Sequence, residues 1–230
     1  MIFEHPLFMT FITLFIFKLC ELLHIKAGKT PLLNPVLITI ILLVSFLIFF
    51  DISYKEYKDG TNILHSMLAP AIIALAIPLY KNFENVKSKI MIILMTIIFG
   101  GFGIILSAVL IGKVLGLPVA MIQALTTKSI TAPIALEIAN LYGTSIPLTI
   151  IGVFSTGLIG VIIVPLILNL LKVREEWIQG LILGITAHAF GIARALSISP
   201  KAAAFATMGM GLMGGFAVVA IPIILNLVIF

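Results

Sequence analysis

The 230-residue sequence has a single cysteine, Cys20, which argues against a disulfide bond and against a thiol metal cluster. Charged residues are also scarce, at 10% of the chain, and no basic tract is present that could follow nucleic-acid phosphates. Neither a basic region before the apolar run at Phe8 nor a small-residue cleavage site after it is found. We therefore expect no cleaved signal peptide and no nucleic-acid partner.

Apolar residues dominate the composition of the chain. They make up 61% of the chain, well above the roughly 45–50% apolar content of soluble domains. The mean hydropathy is +1.28. In hydrocarbon every backbone amide must be satisfied within its own segment, so long apolar runs are helices. The composition predicts an all-α polytopic membrane protein, with residues 1–230 forming one transmembrane domain.

Six apolar runs are long enough to cross a bilayer, which takes about 20 residues. They are residues 6–23, 31–50, 62–80, 89–114, 145–171 and 200–230. Two further segments, residues 117–141 and 176–199, are interrupted near their middles by polar residues and helix breakers. We expect each to consist of two half-helices, which either re-enter from one side or cross the membrane fully.

The two interrupted segments resemble each other at an offset of 60 residues. The pairs are Thr126 and Thr186, Ala135 and Ala195, Leu136 and Leu196, and Ile138 and Ile198, with Lys128 falling on His188. Paired interrupted segments are typical of transporters with inverted repeats. The pattern predicts a weak inverted repeat.

Positive charge predicts the topology, because loops rich in lysine and arginine remain cytoplasmic. Lys26, Lys29, Lys81, Lys87 and Lys89 place the first and third loops inside and the N-terminus outside. If both interrupted segments are re-entrant, Lys172, Arg174 and Lys201 fall inside as well. We prefer the re-entrant arrangement on this ground.

Four ionisable residues fall inside the predicted membrane segments, namely Lys128, Glu137, His188 and Arg194. A charge at mid-membrane costs about 2.5–3.5 kcal/mol, so these side chains require partners, water or a ligand. After the first break, Thr131 fits the N-cap and Pro133 the first turn of a half-helix. The free N–H groups at that helix start, together with Lys128, predict a site for a small carboxylate anion.

The candidate substrate-binding residues are Lys128, Ser129, Thr131, His188, Gly191 and Arg194. Gly191 permits close approach of the backbone, and the Arg194 guanidinium can bind a carboxylate with paired donors. We expect the two breaks to meet near the membrane midplane, with Lys128, His188 and Arg194 lining one cavity. Glu137 is the candidate carrier of a coupled proton or sodium ion, or the counter-charge of Lys128 or Arg194.

Each of these residues also has a purely structural alternative. Lys128 could extend to the membrane surface, Arg194 and Glu137 could form a structural pair, and His188 could be an ordinary buried hydrogen-bonding histidine. An intramembrane enzyme using Ser129 and Lys128 is disfavoured, because no second polar shell or metal-ligand pattern accompanies them. We expect no catalysis, no cofactor and no metal.

Three stretches carry a resemblance to a known family. "LAPAIIALAIPLYK" (residues 68–81), "TTKSITAPIALEIA" (126–139) and "GITAHAFGIARAL" (184–196) resemble the LrgB/CidB/YohK family of bacterial membrane proteins. The family pattern Lys-Ser-x-Thr-x-Pro is intact here from Lys128 to Pro133. The second pattern, His-Gly-x-Gly-Thr-x-Arg, departs at Ala189 and Ile192, and Met213 stands where an asparagine is common, which leaves the substrate open.

The resemblance implies a multi-pass protein of the bacterial cytoplasmic membrane. It implies a secondary transporter for small monocarboxylates of the pyruvate, glycolate or lactate class, working with a small LrgA/CidA-type membrane protein. The alternative that it carries is an antiholin-like regulator of murein hydrolase export and cell lysis. We also expect a homo-oligomer.

Overall fold

The structure is a computed structural model that describes residues 7–28, 33, 35–67, 70, 73–74, 76–81 and 83–228. In these residues the regular structure is helical and no strand is found, which confirms the predicted all-α class. The chain divides into two compact units, Met1–Ala74 and Leu75–Phe230. The single domain expected for residues 1–230 therefore stays a prediction.

The first unit contains four described helices. They are α1 (Phe8–Lys26), α2 (Pro35–Phe49), α3 (Tyr54–Gly60) and α4 (Asn62–Ser66). Ser53 and Glu56 form a capping box that fixes the start of α3, and the Thr10 hydroxyl ties α1 to α3 by donating to the Gly60 carbonyl at 2.7 Å. The span predicted at residues 31–50 is the shorter helix α2, and the span predicted at 62–80 lies partly outside the described residues.

The second unit contains eight described helices and the whole candidate site. They are α5 (Ala76–Lys81), α6 (Phe83–Lys87), α7 (Ile90–Val114), α8 (Val119–Thr126), α9 (Ala132–Leu141), α10 (Ile146–Leu170), α11 (Glu176–Leu196) and α12 (Pro200–Val228). Within the described part of the chain, α1, α7, α10 and α12 are long and apolar enough to cross a membrane, and α11 has the same length and composition but is divided by the break described below. The chain is thus a multi-pass membrane protein.

The segment at residues 176–199 is broken at His188, as predicted, and folds back on itself. His188 has φ 42° and ψ −125°, which no helix allows, and divides α11 into α11a (residues 176–187) and α11b (residues 189–196). The Ser199 hydroxyl donates to the Glu176 carboxylate at 2.8 Å, although 23 residues separate them and a straight helix would span about 35 Å. We name α11a and α11b the second hairpin.

Gly191 explains how α11b can lie against α11a. A Cβ on Gly191 would overlap the carbonyl of Leu183, which belongs to the opposite arm of the second hairpin. Any larger residue would therefore force the two arms apart. The close backbone approach expected of Gly191 is present, but it serves the packing of the hairpin.

The segment at residues 117–141 is broken between α8 and α9, and Lys128 lies in the turn, as predicted. The Thr144 hydroxyl, just beyond α9, donates to Gln123 Oε1 in α8 at 3.4 Å across 21 residues of sequence. A chain continuing in one direction would place these residues about 30 Å apart. The segment is therefore re-entrant, and we name α8 and α9 the first hairpin.

The two hairpins approach the middle of α10 from its opposite ends. The first hairpin joins the N-terminal end of α10 through residues 142–145, and the second joins its C-terminal end through residues 171–175. A Cβ on Gly152 would lie 3.8 Å from Lys128 Cβ, and His188 Nε2 lies 3.1 Å from the Val153 carbonyl. Both tips thus reach adjacent turns of one helix, in the inverted arrangement that the offset of 60 residues predicts.

Small residues bring the second hairpin close to α12. A Cβ on Gly180 would overlap the carbonyl of Ala202, and a Cβ on Gly184 would overlap that of Ala206. Helices in membranes associate closely through such small residues. At the base of this hairpin, the Lys89 ammonium lies 4.6 Å from the centre of the Trp177 ring, so α7 begins at the same end of the unit.

Candidate functional site

Residues at the tip of the first hairpin line a pocket of about 280 Å³ beside α10. We name it the Lys128 pocket. Its polar lining residues are Ser107, Lys128, Ser129, Thr156 and Thr186, and its apolar lining comes from Ile104, Ile159, Gly160, Ile163 and Val164. Residues of the first hairpin, α7, α10 and α11a thus share one pocket that combines a lysine with four hydroxyl groups.

Lys128 has no acidic partner in the described structure. Its ammonium donates to the hydroxyl of the buried Ser129 at 3.3 Å, and no ion pair with Glu137 is formed within the residues described. The side chain itself is half-buried. A cation in this setting has hydrogen-bond donors to spare, which an anion in the pocket could accept.

The start of α9 adds polar backbone groups to the same tip. Thr131 is the N-cap residue, with φ −68° and ψ 144°, and Pro133 lies in the first turn, both as predicted. The Thr131 hydroxyl makes no capping hydrogen bond, however, so no side-chain oxygen of the N-cap takes up the free N–H groups. The positive end of the α9 dipole therefore lies two to four residues beyond Lys128 along the chain.

His188 is buried at the tip of the second hairpin. It is 3% exposed, and its Nε2 carries the proton if it donates to the Val153 carbonyl, 3.1 Å away. A Cβ on Gly157 would lie 2.7 Å from His188 Cε1, so the ring occupies the space that this glycine leaves on α10. The geometry matches the alternative of a buried hydrogen-bonding histidine, and a role in substrate binding stays a prediction.

Within the described residues, Arg194 lines no pocket together with Lys128, contrary to our expectation. It lines a separate pocket of about 240 Å³, together with Arg174 and the C-terminal end of α10. The physical reason is the fold-back of the second hairpin, which carries residue 194 about 9 Å away from the tip and toward the base. A break at His188 therefore separates the two cations, whereas we expected it to bring them together.

Glu137 lies on the return arm of the first hairpin, and its side chain is exposed. It forms no ion pair with Arg194 in the described residues. Gly191 is buried between the arms of the second hairpin and does not line the Lys128 pocket. Thr131 is half-buried and does not line it either. Of the sequence candidates, Lys128 and Ser129 line this pocket.

Sequence reasoning missed Ser107 and Thr156 as pocket residues and noted Thr186 only as a member of the repeat. The Ser107 and Thr186 hydroxyls donate to carbonyls of their own helices, those of Ile104 at 2.9 Å and Ile182 at 2.7 Å. Each hydroxyl oxygen keeps free acceptor capacity, and the proton can turn toward a ligand. None of the three has a sequence feature that distinguishes it from other hydroxyl residues of apolar helices.

The chain is similar in sequence to one protein family and to several bacterial proteins. The family model described as "LrgB-like family" matches residues 13–227. The chain is 32% identical to the holin-like protein CidB of Staphylococcus aureus over 197 residues, which cover 86% of each chain. It is 32% identical to the uncharacterized protein YwbG of Bacillus subtilis (84% and 86% covered) and 31% identical to an uncharacterized protein of Haemophilus influenzae (96% and 95% covered). No solved structure matches it.

Proposed function

Since this chain belongs to the LrgB-like family, we propose that it acts in the bacterial cytoplasmic membrane, where two functions have separate support. The comparisons favour an antiholin-like regulator of murein hydrolase export and cell lysis, because the Staphylococcus aureus relatives carry the name holin-like protein. The geometry of the Lys128 pocket favours a secondary transporter for small monocarboxylates. We conclude that transport of small monocarboxylates is the function that this site supports best.

The observation that carries this conclusion is an unpaired cation in a hydroxyl-lined pocket at the tip of a re-entrant hairpin. A lysine at the middle of a membrane costs about 2.5–3.5 kcal/mol of insertion energy, and in the described structure no carboxylate pairs with Lys128 to offset such a cost. A bound anion would supply the missing charge. A protein that only seals or perforates the membrane has no need of such a residue.

In this function the Lys128 ammonium pairs with the carboxylate of the substrate, and the surrounding hydroxyls complete its hydrogen bonds. Ser129 and Thr186 provide hydroxyl groups from the two hairpins, and Thr156 provides one from α10 between them. The volume of about 280 Å³ suits a molecule of a few non-hydrogen atoms with some water. The apolar wall contacts the methyl or methylene part of a substrate such as pyruvate, lactate or glycolate.

Alternating access follows from the opposed hairpins. Each hairpin is attached to a different end of α10, and both tips pack on its central turns around Gly152 and Gly157. Withdrawal of one tip opens the site to one side of the membrane while the other tip stays closed. A proton or sodium ion carried by Glu137 couples this motion to a gradient.

The remaining parts of the proposal concern partners and chemistry. The resemblance supports a small LrgA/CidA-type membrane protein as the partner, and we propose a homo-oligomer as the working form. No covalent chemistry on the substrate is needed, so we propose no enzymatic activity.

The test compares transport with leakage in liposomes that contain the purified protein. Radiolabelled pyruvate, lactate and glycolate are measured with and without an LrgA/CidA-type partner, and release of a trapped bulky dye is measured in parallel. A transporter gives saturable carboxylate flux without dye release. Release of both solutes without saturation favours the holin-like function, and absence of carboxylate flux in either setting contradicts the transporter.

A further inference from the structure

A second polar pocket lies at the C-terminal end of α10, away from the Lys128 pocket. Its volume is about 240 Å³, and its polar lining residues are Asn169, Arg174, Gln179 and Arg194. Pro165, Leu168, Leu183 and Ile198 form its apolar lining. Two arginines therefore line one cavity, and no acidic residue lines it.

The donors of these arginines are largely unused in the described structure. Arg194 Nη1 donates to the Ser197 hydroxyl at 3.3 Å, but its buried Nε has no hydrogen-bond partner. Arg174 Nη1 makes a long contact of 3.5 Å with Asn169 Oδ1. A buried guanidinium N–H without an acceptor is costly, so an acceptor bound beside Arg194 would stabilise this site.

The nearby carboxylates do not supply that acceptor. Glu175 and Glu176 follow Arg174 directly in sequence, yet neither forms an ion pair with Arg174 or Arg194 in the residues described. The Glu176 carboxylate instead accepts from the Ser199 hydroxyl at 2.8 Å and closes the base of the second hairpin. Lys172 and Lys201, at the two ends of the same hairpin, add further positive charge to this end of the molecule.

We propose that the pocket between Arg174 and Arg194 binds a tetrahedral or planar oxyanion, namely a phosphate or carboxylate group. Arginine is suited to this because its planar fork offers paired donors to such a group. The volume is several times the roughly 30 Å³ that one water molecule occupies in the liquid, so a phosphate group with attached water fits. The group belongs either to a phospholipid headgroup or to a free anion.

The experiment uses the full chain, purified in detergent and freed of lipid. Binding is measured by isothermal titration with inorganic phosphate and with pyruvate, and by native mass spectrometry with phosphatidylglycerol against phosphatidylcholine. The variants are Arg194→Gln and Arg174→Gln. Lys201→Gln is the matched control, because it removes one positive charge from the same end without lining the pocket.

Each arginine substitution is expected to weaken binding by about tenfold or more, as for loss of a charge-assisted hydrogen bond, while Lys201→Gln changes it less than about twofold. Binding of phosphate or pyruvate that both arginine variants weaken identifies a free anion, and retention of phosphatidylglycerol that both weaken identifies a lipid headgroup; either supports the proposal. Binding that neither arginine variant weakens overturns it. No binding of any probe, or equal loss in Lys201→Gln, overturns it. Should Arg194→Gln fail to fold, Arg174→Gln on the exposed loop decides the question.

The proposal does not rest on the transport function. Lys128→Gln is expected to leave the binding of inorganic phosphate and of phosphatidylglycerol within about twofold of the unmodified protein, whereas it lowers pyruvate binding at the Lys128 pocket. A loss of phosphate or phosphatidylglycerol binding in Lys128→Gln equal to that in the arginine variants would place the bound anion in the Lys128 pocket and overturn the second site. A failure of carboxylate flux, in contrast, would leave this result unchanged.

Discussion

Replacing Gly160 with alanine tests how tightly the second hairpin packs on α10. The new Cβ would lie 2.8 Å from Ala187 Cβ and 3.6 Å from Ala187 Cα. Carbon atoms in ordinary contact are about 3.5–4.0 Å apart, so the tip of α11a must move by about 1 Å. Overpacking of this kind costs about 1–3 kcal/mol.

The matched control is Gly103→Ala, since a Cβ on Gly103 meets no atom within 4 Å. Both substitutions gain about 0.5–1 kcal/mol from the lower flexibility of alanine, so the difference between them reports the contact with Ala187. In a chain of this size 1 kcal/mol corresponds to about 2–4 °C in melting temperature, measured by thermal unfolding in detergent. We expect Gly160→Ala to melt below Gly103→Ala by roughly 2–12 °C.

A second variant identifies the atom responsible. Ala187→Gly removes the Cβ that the new methyl group meets, so Gly160→Ala with Ala187→Gly is expected to melt higher than the sum of the two single effects predicts. Equal melting temperatures of Gly160→Ala and Gly103→Ala, or additive effects in the double variant, would refute the packing of the second hairpin described above.

Three further predictions concern the hairpins and ion coupling. Glu137→Gln is expected to exchange labelled for unlabelled carboxylate but to lose accumulation driven by a proton or sodium gradient, because glutamine cannot ionise; normal accumulation under both gradients would make Glu137 structural. Both His188→Gly and His188→Ala lose the hydrogen bond to the Val153 carbonyl, but only glycine relieves the backbone strain at residue 188, about 1–3 kcal/mol. The melting temperature is therefore expected to fall less in His188→Gly than in His188→Ala. A larger fall in His188→Gly would show that the turn is not strained. Gln123→Cys with Thr144→Cys, in a Cys20→Ser background, is expected to be joined by a short bismaleimide reagent, because the Thr144 hydroxyl lies 3.4 Å from Gln123 Oε1; absence of the cross-linked product in mass spectrometry would contradict the first hairpin.

The positions of both breaks could be predicted from the sequence, because ionisable residues beside helix breakers cannot continue a lipid-facing helix. Lys128 and His188 lie at the two tips, and the offset of 60 residues that pairs them also pairs the two hairpins. The direction of each fold-back was harder to predict. It depends on contacts between distant residues, such as Gly191 with the Leu183 carbonyl, which leave no local signal.

The composition of the site was only partly predictable. Lys128 stands out because charge is rare in the membrane, whereas Ser107 and Thr186 satisfy their own helix backbone and look like ordinary residues of an apolar helix. The expectation that Arg194 lines the Lys128 pocket rests on its position close to the break at His188. That reasoning fails because a hairpin reverses the chain, so residues beyond the tip return toward the base.

The central claim is that Lys128 binds a small carboxylate anion, and flux through proteoliposomes that carry single variants tests it most directly. Lys58→Gln is the matched control, since Lys58 is an exposed lysine of α3 and does not line the pocket. We predict saturable uptake of labelled carboxylate by the unmodified protein and by Lys58→Gln, and loss of at least about tenfold in Lys128→Gln at equal incorporation. Uptake by Lys128→Gln equal to that of the unmodified protein would contradict the claim.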